Sequence, residues 1–168
     1  MPVKKLTLMA LLTTLLLIQE QALSFIPNVQ FSTLLILLFA STFKLRDSLV
    51  MLAVYVCIDS LYMGALNPFY MIPMYLGWAT LPVLYHFVIK PRESIYTMAT
   101  LGFFGGFIYG VLFMPFAVIQ TGIDPRAYLL ADFPFQIIMA ASNFLTILWL
   151  YAPLKKIYGL YVPKEATQ

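Results

Sequence analysis

Six stretches of mostly apolar residues run along the chain, separated by short segments that carry proline, asparagine or charged residues. A helix that crosses a bilayer needs roughly 20 mostly apolar residues. On this criterion we predict six spans: Leu6–Leu23, Asn28–Phe43, Leu49–Leu66, Phe69–Ile89, Tyr96–Gln120 and Phe133–Tyr151. The second is short, and apolar runs of about 10–14 residues are more often re-entrant or core pieces. Its interpretation therefore depends on the flanking charges.

Composition supports a membrane protein. Of 168 residues, 62% are hydrophobic and 10% are charged, whereas an average soluble chain is about 45–50% apolar and about 25% charged. We therefore expect an all-α bundle of six transmembrane helices, with residues 1–168 forming a single transmembrane domain. The net charge of +3 needs no nucleic-acid partner to explain it. Cys57 is the only cysteine, which excludes a disulfide framework and a cysteine-based metal site.

The basic residues fall in alternate connections between the predicted spans. Nine of the ten lie at the two ends of the chain or in the second-to-third and fourth-to-fifth connections: Lys4, Lys5, Lys44, Arg46, Lys90, Arg92, Lys155, Lys156 and Lys164. Arg126 alone lies in the other set of connections. Cytoplasmic loops hold the Lys and Arg excess, so we predict a multi-pass protein of a prokaryotic plasma membrane with both termini in the cytoplasm. The segment SFIPNVQ (24–30) then faces outward, as do residues 65–68 and 120–132.

The N-terminus also fits a second interpretation. Two lysines, the apolar run Leu6–Ile18 and the small residues of Ala22–Ser24 together have the form of a secretory signal peptide. Cleavage would leave five spans and an outward N-terminus. The polar run QEQ (19–21) is unusual just before a cleavage site, so we expect the first helix to be retained.

Acidic residues within or beside the spans lie toward the predicted outer side. An acid at a helix centre costs about 2.5–3.5 kcal/mol on insertion scales, and intramembrane acids usually face the bundle interior and mark function. Glu20 lies near the outer end of the first span and Asp59 in the outer half of the third. The sixth span carries a polar stripe whose members share one helix face: Asp132, Gln136, Ala140 and Asn143.

These groups resemble a site with an apolar body and a few convergent polar groups. The predicted substrate-binding residues are Asn28, Gln30, Asp59, Tyr62, Asn67, Tyr70, Tyr75, Trp78, Arg126, Asp132, Gln136 and Asn143. Structural roles compete with this prediction. The aromatic residues also fit an interfacial belt, and Asp132 also fits a helix N-cap before Phe133-Pro134. Gln136 and Asn143 also fit interhelical hydrogen bonds. For Asp59 we expect Tyr or Ser hydroxyls, or Arg126, as partners.

The glycine spacing in the fifth span indicates close packing of that helix against a neighbour. Gly102, Gly106 and Gly110 recur every fourth residue, which lets helix backbones approach closely. Such a stripe packs inside the bundle or docks a partner protein. No HExxH, GxSxG, Walker A or Rossmann glycine pattern occurs, and a single histidine cannot supply a His-rich metal site. We therefore expect no enzymatic activity, no metal and no cofactor.

Two segments resemble a known family. ALSFIPNVQFSTLLILLFA (22–40) joins the first two spans, and YLLADFPFQIIMAASNFLTILWLYAPL (128–154) runs through the sixth. Through these two segments, together with its six predicted spans and cytoplasmic ends, the chain resembles the substrate-binding S components of energy-coupling-factor (ECF) transporters. The resemblance implies capture of a vitamin or related micronutrient from outside, and import with a transmembrane coupling subunit and two ATPase subunits. In that family an AxxxA motif on the first helix contacts the coupling subunit, and the matching pair here is Ala10 and Thr14.

The ligand and two rival functions stay open at this point. Few charges and many aromatics favour a large, mostly uncharged ligand, with a cobalamin-type corrinoid as the first expectation and pantothenate or another vitamin as the next. One rival is a structural cell-shape subunit resembling MreD, although a scaffold has little need for converging polar side chains. The other is a small autonomous proton-coupled carrier, which requires Glu20 or Asp59 to titrate during transport.

Overall fold

The computed structural model describes residues 3–64 and 66–161, and these residues form six α-helices with no β-strand. The helices are α1 Val3–Leu23, α2 Ser32–Thr42, α3 Leu45–Tyr62, α4 Pro68–Leu84, α5 Ile95–Thr121 and α6 Pro125–Tyr161. A π-helical turn, Tyr85–Ile89, and a 3-10 turn, Lys90–Arg92, continue α4. The all-α prediction is confirmed. Lys164, predicted to lie with the other basic residues, is outside the described residues.

In the part of the chain that the structure describes, four helical stretches are long and apolar enough to cross a bilayer: Val3–Leu23, Pro68–Arg92, Ile95–Thr121 and Pro125–Gly159. The other two helices differ from them. α2 has 11 residues, which is about 16 Å at 1.5 Å per residue, or about half of a 30 Å hydrocarbon core. α3 has 18 residues and includes three charged side chains, Arg46, Asp47 and Asp59. Six crossings therefore stay a prediction.

α2 lies at the centre of the bundle. Every residue from Ser32 to Ala40 is buried, and α2 contacts each of the other five helices. A helix that is apolar all round is stable where other elements surround it. The segment 24–30, which leads into α2, is consequently anchored on one side to the core of the molecule.

Side-chain pairs fix the relative directions of the first three helices. Lys5 near the start of α1 pairs with Asp47 at the start of α3. Gln21 near the end of α1 donates a hydrogen bond to Asp59 near the end of α3, at 3.1 Å. α1 and α3 therefore run parallel, and α2 returns between them. We call the end with Lys5 and Asp47 the basic end, and the end with Gln21 and Asp59 the pocket end.

The remaining helices continue this alternation. Tyr70 near the start of α4 lines the same cavity as Asp59, so α4 and its continuation run from the pocket end to the basic end. α5 returns, and α6 packs antiparallel to it, because Gly102 meets Ile147 while Gly110 meets Gln136. Successive helices in the described residues therefore alternate in direction, and their orientation relative to a membrane stays a prediction.

Glu93 joins three elements at the basic end. It lies in the connection before α5 and accepts hydrogen bonds from Tyr85 Oη at 2.8 Å, from Tyr151 Oη at 2.7 Å and from Lys155 Nζ. Burial alone would raise the pKa of the Glu93 carboxyl. The three donors outweigh burial and hold that pKa below its ordinary value of 4.5.

α6 begins at Pro125 rather than at the predicted Phe133. Asp124 Oδ1 accepts hydrogen bonds from the backbone N–H of Arg126 at 3.0 Å and of Ala127 at 3.1 Å, which makes Asp124 the N-cap. The prediction that Asp132 caps this helix was wrong. Asp132 lies inside α6, where its Oδ2 accepts a hydrogen bond from Gln136 Nε2 at 2.6 Å. Asp124 directly precedes Pro125, whereas Phe133 separates Asp132 from Pro134, and the earlier aspartate begins the helix.

Candidate functional site: a polar cavity at the pocket end

A polar cavity of about 280 Å³ lies at the pocket end. Most residues between 23 and 30 form one wall. The other walls come from the end of α1 with Glu20 and Gln21, the end of α3 with Asp59 and Met63, and the start of α4 with Tyr70. The cavity therefore collects side chains from four separate parts of the chain.

The wall formed by segment 24–30 has a defined backbone. Asn28 adopts φ 59°, the left-handed conformation that Asn tolerates better than most residues. The backbone N–H of Ile26 bonds to the carbonyl of Leu23 at 2.9 Å, and that of Val29 to the carbonyl of Ile26 at 3.3 Å. These turns fold the segment back over the end of α1.

Gln19 ties the start of α2 to α1. Its Oε1 accepts a hydrogen bond from the backbone N–H of Phe31 at 2.9 Å, and its Nε2 donates to Ser32 Oγ at 2.7 Å. Ser32 Oγ also donates to Gln30 Oε1 at 3.3 Å. Sequence reasoning missed Gln19, although the polar run 19–21 was the signal that could have identified it.

Two carboxyl groups line the cavity. Asp59 is 2% exposed, and its partner is Gln21, not the expected Arg126 or a hydroxyl group. Glu20 Oε2 is buried and has no hydrogen-bond partner among the described residues. Neither acid forms an ion pair within residues 3–64 and 66–161, where the ion pairs join Lys5 to Asp47 and Lys155 to Glu93. The cavity thus has acidic groups without a basic group to offset them.

An aromatic cluster adjoins the cavity through Tyr70. Tyr70 packs edge-on against Phe113 with ring centroids 5.6 Å apart, and Phe113 stacks on Tyr109 at 5.7 Å. Trp78 packs against Tyr109 at 4.7 Å and is only 3% exposed. Trp78 is therefore part of the core rather than of an interfacial belt.

Asn28, Gln30, Asp59 and Tyr70, all predicted as site residues, line the cavity. Four others lie elsewhere, at positions that give them separate roles. Asn67 caps α4 by accepting a hydrogen bond from the backbone N–H of Phe69 at 3.0 Å. Tyr75 lines an apolar groove beside Cys57, and Tyr62 and Arg126 are exposed.

The polar stripe of α6 packs against the glycines of α5 instead of lining the cavity. Asn143 is fully buried and its Nδ2 donates to the Gly102 carbonyl at 3.2 Å. A Cβ at Gly110 would collide with the Gln136 amide. The glycine spacing therefore serves packing within the bundle, and Gln136 and Asn143 lie at the helix contact.

Ala10 and Thr14 are exposed on the outer face of α1. Thr14 Oγ1 donates to the Ala10 carbonyl at 2.9 Å. Because the hydroxyl is satisfied within the helix, the pair presents a small and largely apolar surface. This surface is accessible to lipid or to another protein.

The chain matches no protein-family model, no curated protein and no solved structure. A functional proposal therefore depends on three features: the polar cavity, the exposed pair on α1, and the two segments that resemble ECF S components.

Proposed function

We propose that this protein is the membrane-embedded substrate-binding component of an ECF-type transporter. It binds a vitamin or related micronutrient at the pocket end, for import driven by partner subunits. The observation that carries this proposal is the position of segment 24–30, which supplies part of the resemblance and also forms a wall of the polar cavity. The Lys and Arg excess at the opposite end supports an outward-facing cavity, because cytoplasmic loops hold that excess.

In this proposal all six helices cross the bilayer and both termini are cytoplasmic. The short α2 is compatible with such a topology because protein surrounds it on all sides. Non-helical backbone at membrane depth is tolerated where it is buried in protein or lines a cavity. Segment 24–30 lines a cavity, and it supplies the length that α2 lacks.

The partners would be a transmembrane coupling subunit and two ATPase subunits. Ala10 and Thr14 give the coupling subunit a surface on which helix backbones can approach closely. Their exposure on α1 supports this role. ATP hydrolysis would belong to the partners, in keeping with a chain that carries no nucleotide-binding motif.

The cavity favours a small ligand. Its volume of about 280 Å³ is near the lower limit of ligand pockets, which hold about 300–1,000 Å³. A corrinoid would need a much larger opening than the walls provide. We therefore propose a smaller vitamin-like molecule.

Co-purification from the native membrane tests this function. The tagged protein is isolated in mild detergent, and mass spectrometry identifies companion subunits and bound small molecules. We expect a coupling subunit, two ATPases and one enriched small molecule. The Asn28→Ala, Gln30→Ala double variant should lose at least 10-fold of that molecule while inserting normally and retaining the subunits. Gln120→Ala, at an exposed position on α5, is the control; recovery of neither subunits nor ligand would refute the proposal.

An autonomous proton-coupled carrier is the second candidate, because Glu20 and Asp59 share one cavity. It predicts uptake of the same small molecule into liposomes that contain this protein alone, driven by a pH gradient and abolished by Asp59→Asn. Uptake that requires added ATPases would exclude the carrier.

A further inference from the structure

We propose that the ligand is an organic cation whose positively charged nitrogen lies between Glu20 and Asp59. This inference rests on the proposed substrate-binding function and specifies the chemical class of the substrate. It follows from the charge, hydrogen bonding and size of the cavity at the pocket end.

Glu20 and Asp59 reach one cavity from two helices, and neither has a basic partner among the described residues. Asp59 is 2% exposed. Buried charges are normally paired, and like charges in one site oppose each other's ionisation. A cation bound between the two carboxyl groups offsets both the cost of burying an unpaired charge and the repulsion between the two groups. An anion such as pantothenate would increase both.

Glu20 Oε2 is buried without a partner, and the neighbouring amide of Gln21 is already engaged by Asp59. A ligand in this cavity, which Glu20 lines, can supply the missing donor when the carboxyl group turns toward it. A protonated amine or a similar cationic N–H group fits, because hydrogen bonds between charged partners are roughly twice as strong as neutral ones.

The lining of the cavity fits an organic cation better than a metal ion. Within the described residues no group of three or more His, Cys, Asp or Glu side chains comes close enough to hold a metal. Hard cations such as Ca²⁺ require 6–8 oxygen ligands. The cavity also has apolar walls from Leu23, Ile26 and Met63, and the Tyr70 ring borders it. These surfaces suit the carbon skeleton of an organic ligand.

Binding by the purified full-length protein tests the charge class. The probes are thiamine, pyridoxamine, choline and putrescine as cations, riboflavin as a neutral compound, and pantothenate and biotin as anions. We expect at least one cation to bind 100-fold more tightly than either anion. Glu20→Gln and Asp59→Asn should each weaken that binding at least 10-fold. Asp124→Asn removes a negative charge from the α6 cap and should leave binding unchanged.

Failure of the cation proposal is distinguishable from failure of the proposed function. The proposal is overturned if no cation binds, if an anion or neutral probe binds best, or if both carboxyl variants bind the cation normally. It is also overturned if the molecule that co-purifies is not positively charged, although recovered partner subunits would then still support the transporter. Conversely, cation binding without any recovered partner would overturn the transporter function alone.

Discussion

The Gln21 side chain bonds to Asp59 across the pocket ends of α1 and α3, with 3.1 Å between Nε2 and Oδ1. Glu20 is the residue before Gln21, so this one contact also sets where the two carboxyl groups of the cavity lie relative to each other. The bond therefore connects the packing of the bundle to the chemistry of the proposed site.

Replacing Gln21 should destabilise the protein. Gln21→Leu leaves a buried Asp59 oxygen without its donor, and we expect a loss of about 1–3 kcal/mol in the free energy of unfolding. Denaturant unfolding in detergent micelles measures it. The double variant Gln21→Leu, Asp59→Leu should recover most of the loss, since neither position is then occupied by a buried polar group that lacks its partner. Equal stability of wild type and Gln21→Leu would show that the bond does not hold the helices.

A side chain at Gly110 should weaken the contact between α5 and α6. Gly110→Ala displaces the Gln136 amide, which is the flexible end of that side chain, and disturbs its hydrogen bond to Asp132, so we expect a loss of about 0.5–1.5 kcal/mol in the free energy of unfolding. The thermal midpoint in detergent measures the effect. Gly159→Ala is the matched control, because an added Cβ there meets no atom within 4 Å. A Gly110→Ala protein as stable as this control would contradict the described packing.

The start of α6 can be tested at its cap. Asp124→Ala should cost about 0.5–2 kcal/mol, whereas Asp124→Asn should cost little because Asn is an equally good cap. Unfolding followed by circular dichroism compares the two variants. If Asp124→Ala and Asp124→Asn were equally stable, the cap would lie elsewhere.

Because the hydrogen bonds to Glu93 favour its ionised form, we expect the protein to lose stability at acid pH. Its folded-state pKa lies below 4.5, so its stabilisation is fully present above the unfolded-state pKa and is lost as the pH falls through the folded-state pKa. The wild-type midpoint should therefore exceed that of Glu93→Gln at pH 6, and the difference should shrink toward pH 3. A difference that stays constant over this range would mean that ionisation of Glu93 contributes nothing.

Variants at the exposed pair on α1 should impair docking of the coupling subunit without affecting ligand binding. Ala10→Leu and Thr14→Leu add bulk where a helix backbone would approach, so recovery of the coupling subunit should fall several-fold while ligand binding by the purified protein is unchanged. Leu11→Ala, at another exposed position of α1, provides a comparison. Full recovery of the coupling subunit with both leucine variants would exclude this face of α1 as the docking surface.

Elements with strong local signals could be predicted from the sequence, and contacts between elements could not. Apolar runs indicated six helices, because this pattern acts within a single span, whereas the orientation inferred from the basic residues stays a prediction. The start of α6 was misplaced because Asp124 and Asp132 each have a proline within the next two residues, and local preference alone does not choose between them. Gln19 and Gln21 were missed as partners of Phe31 and Asp59, since those pairings depend on how the helices pack.

Within the proposed topology, α2 constrains the order in which the protein assembles. A helix of 11 residues that packs against all five other helices gains little from entering lipid alone, since it is too short to span the hydrocarbon core. We expect α1, α2 and α3 to enter the membrane as a group during synthesis, with Lys5–Asp47 and Gln21–Asp59 closing around α2. Biogenesis would thus begin with a three-helix unit that already holds both acids of the cavity.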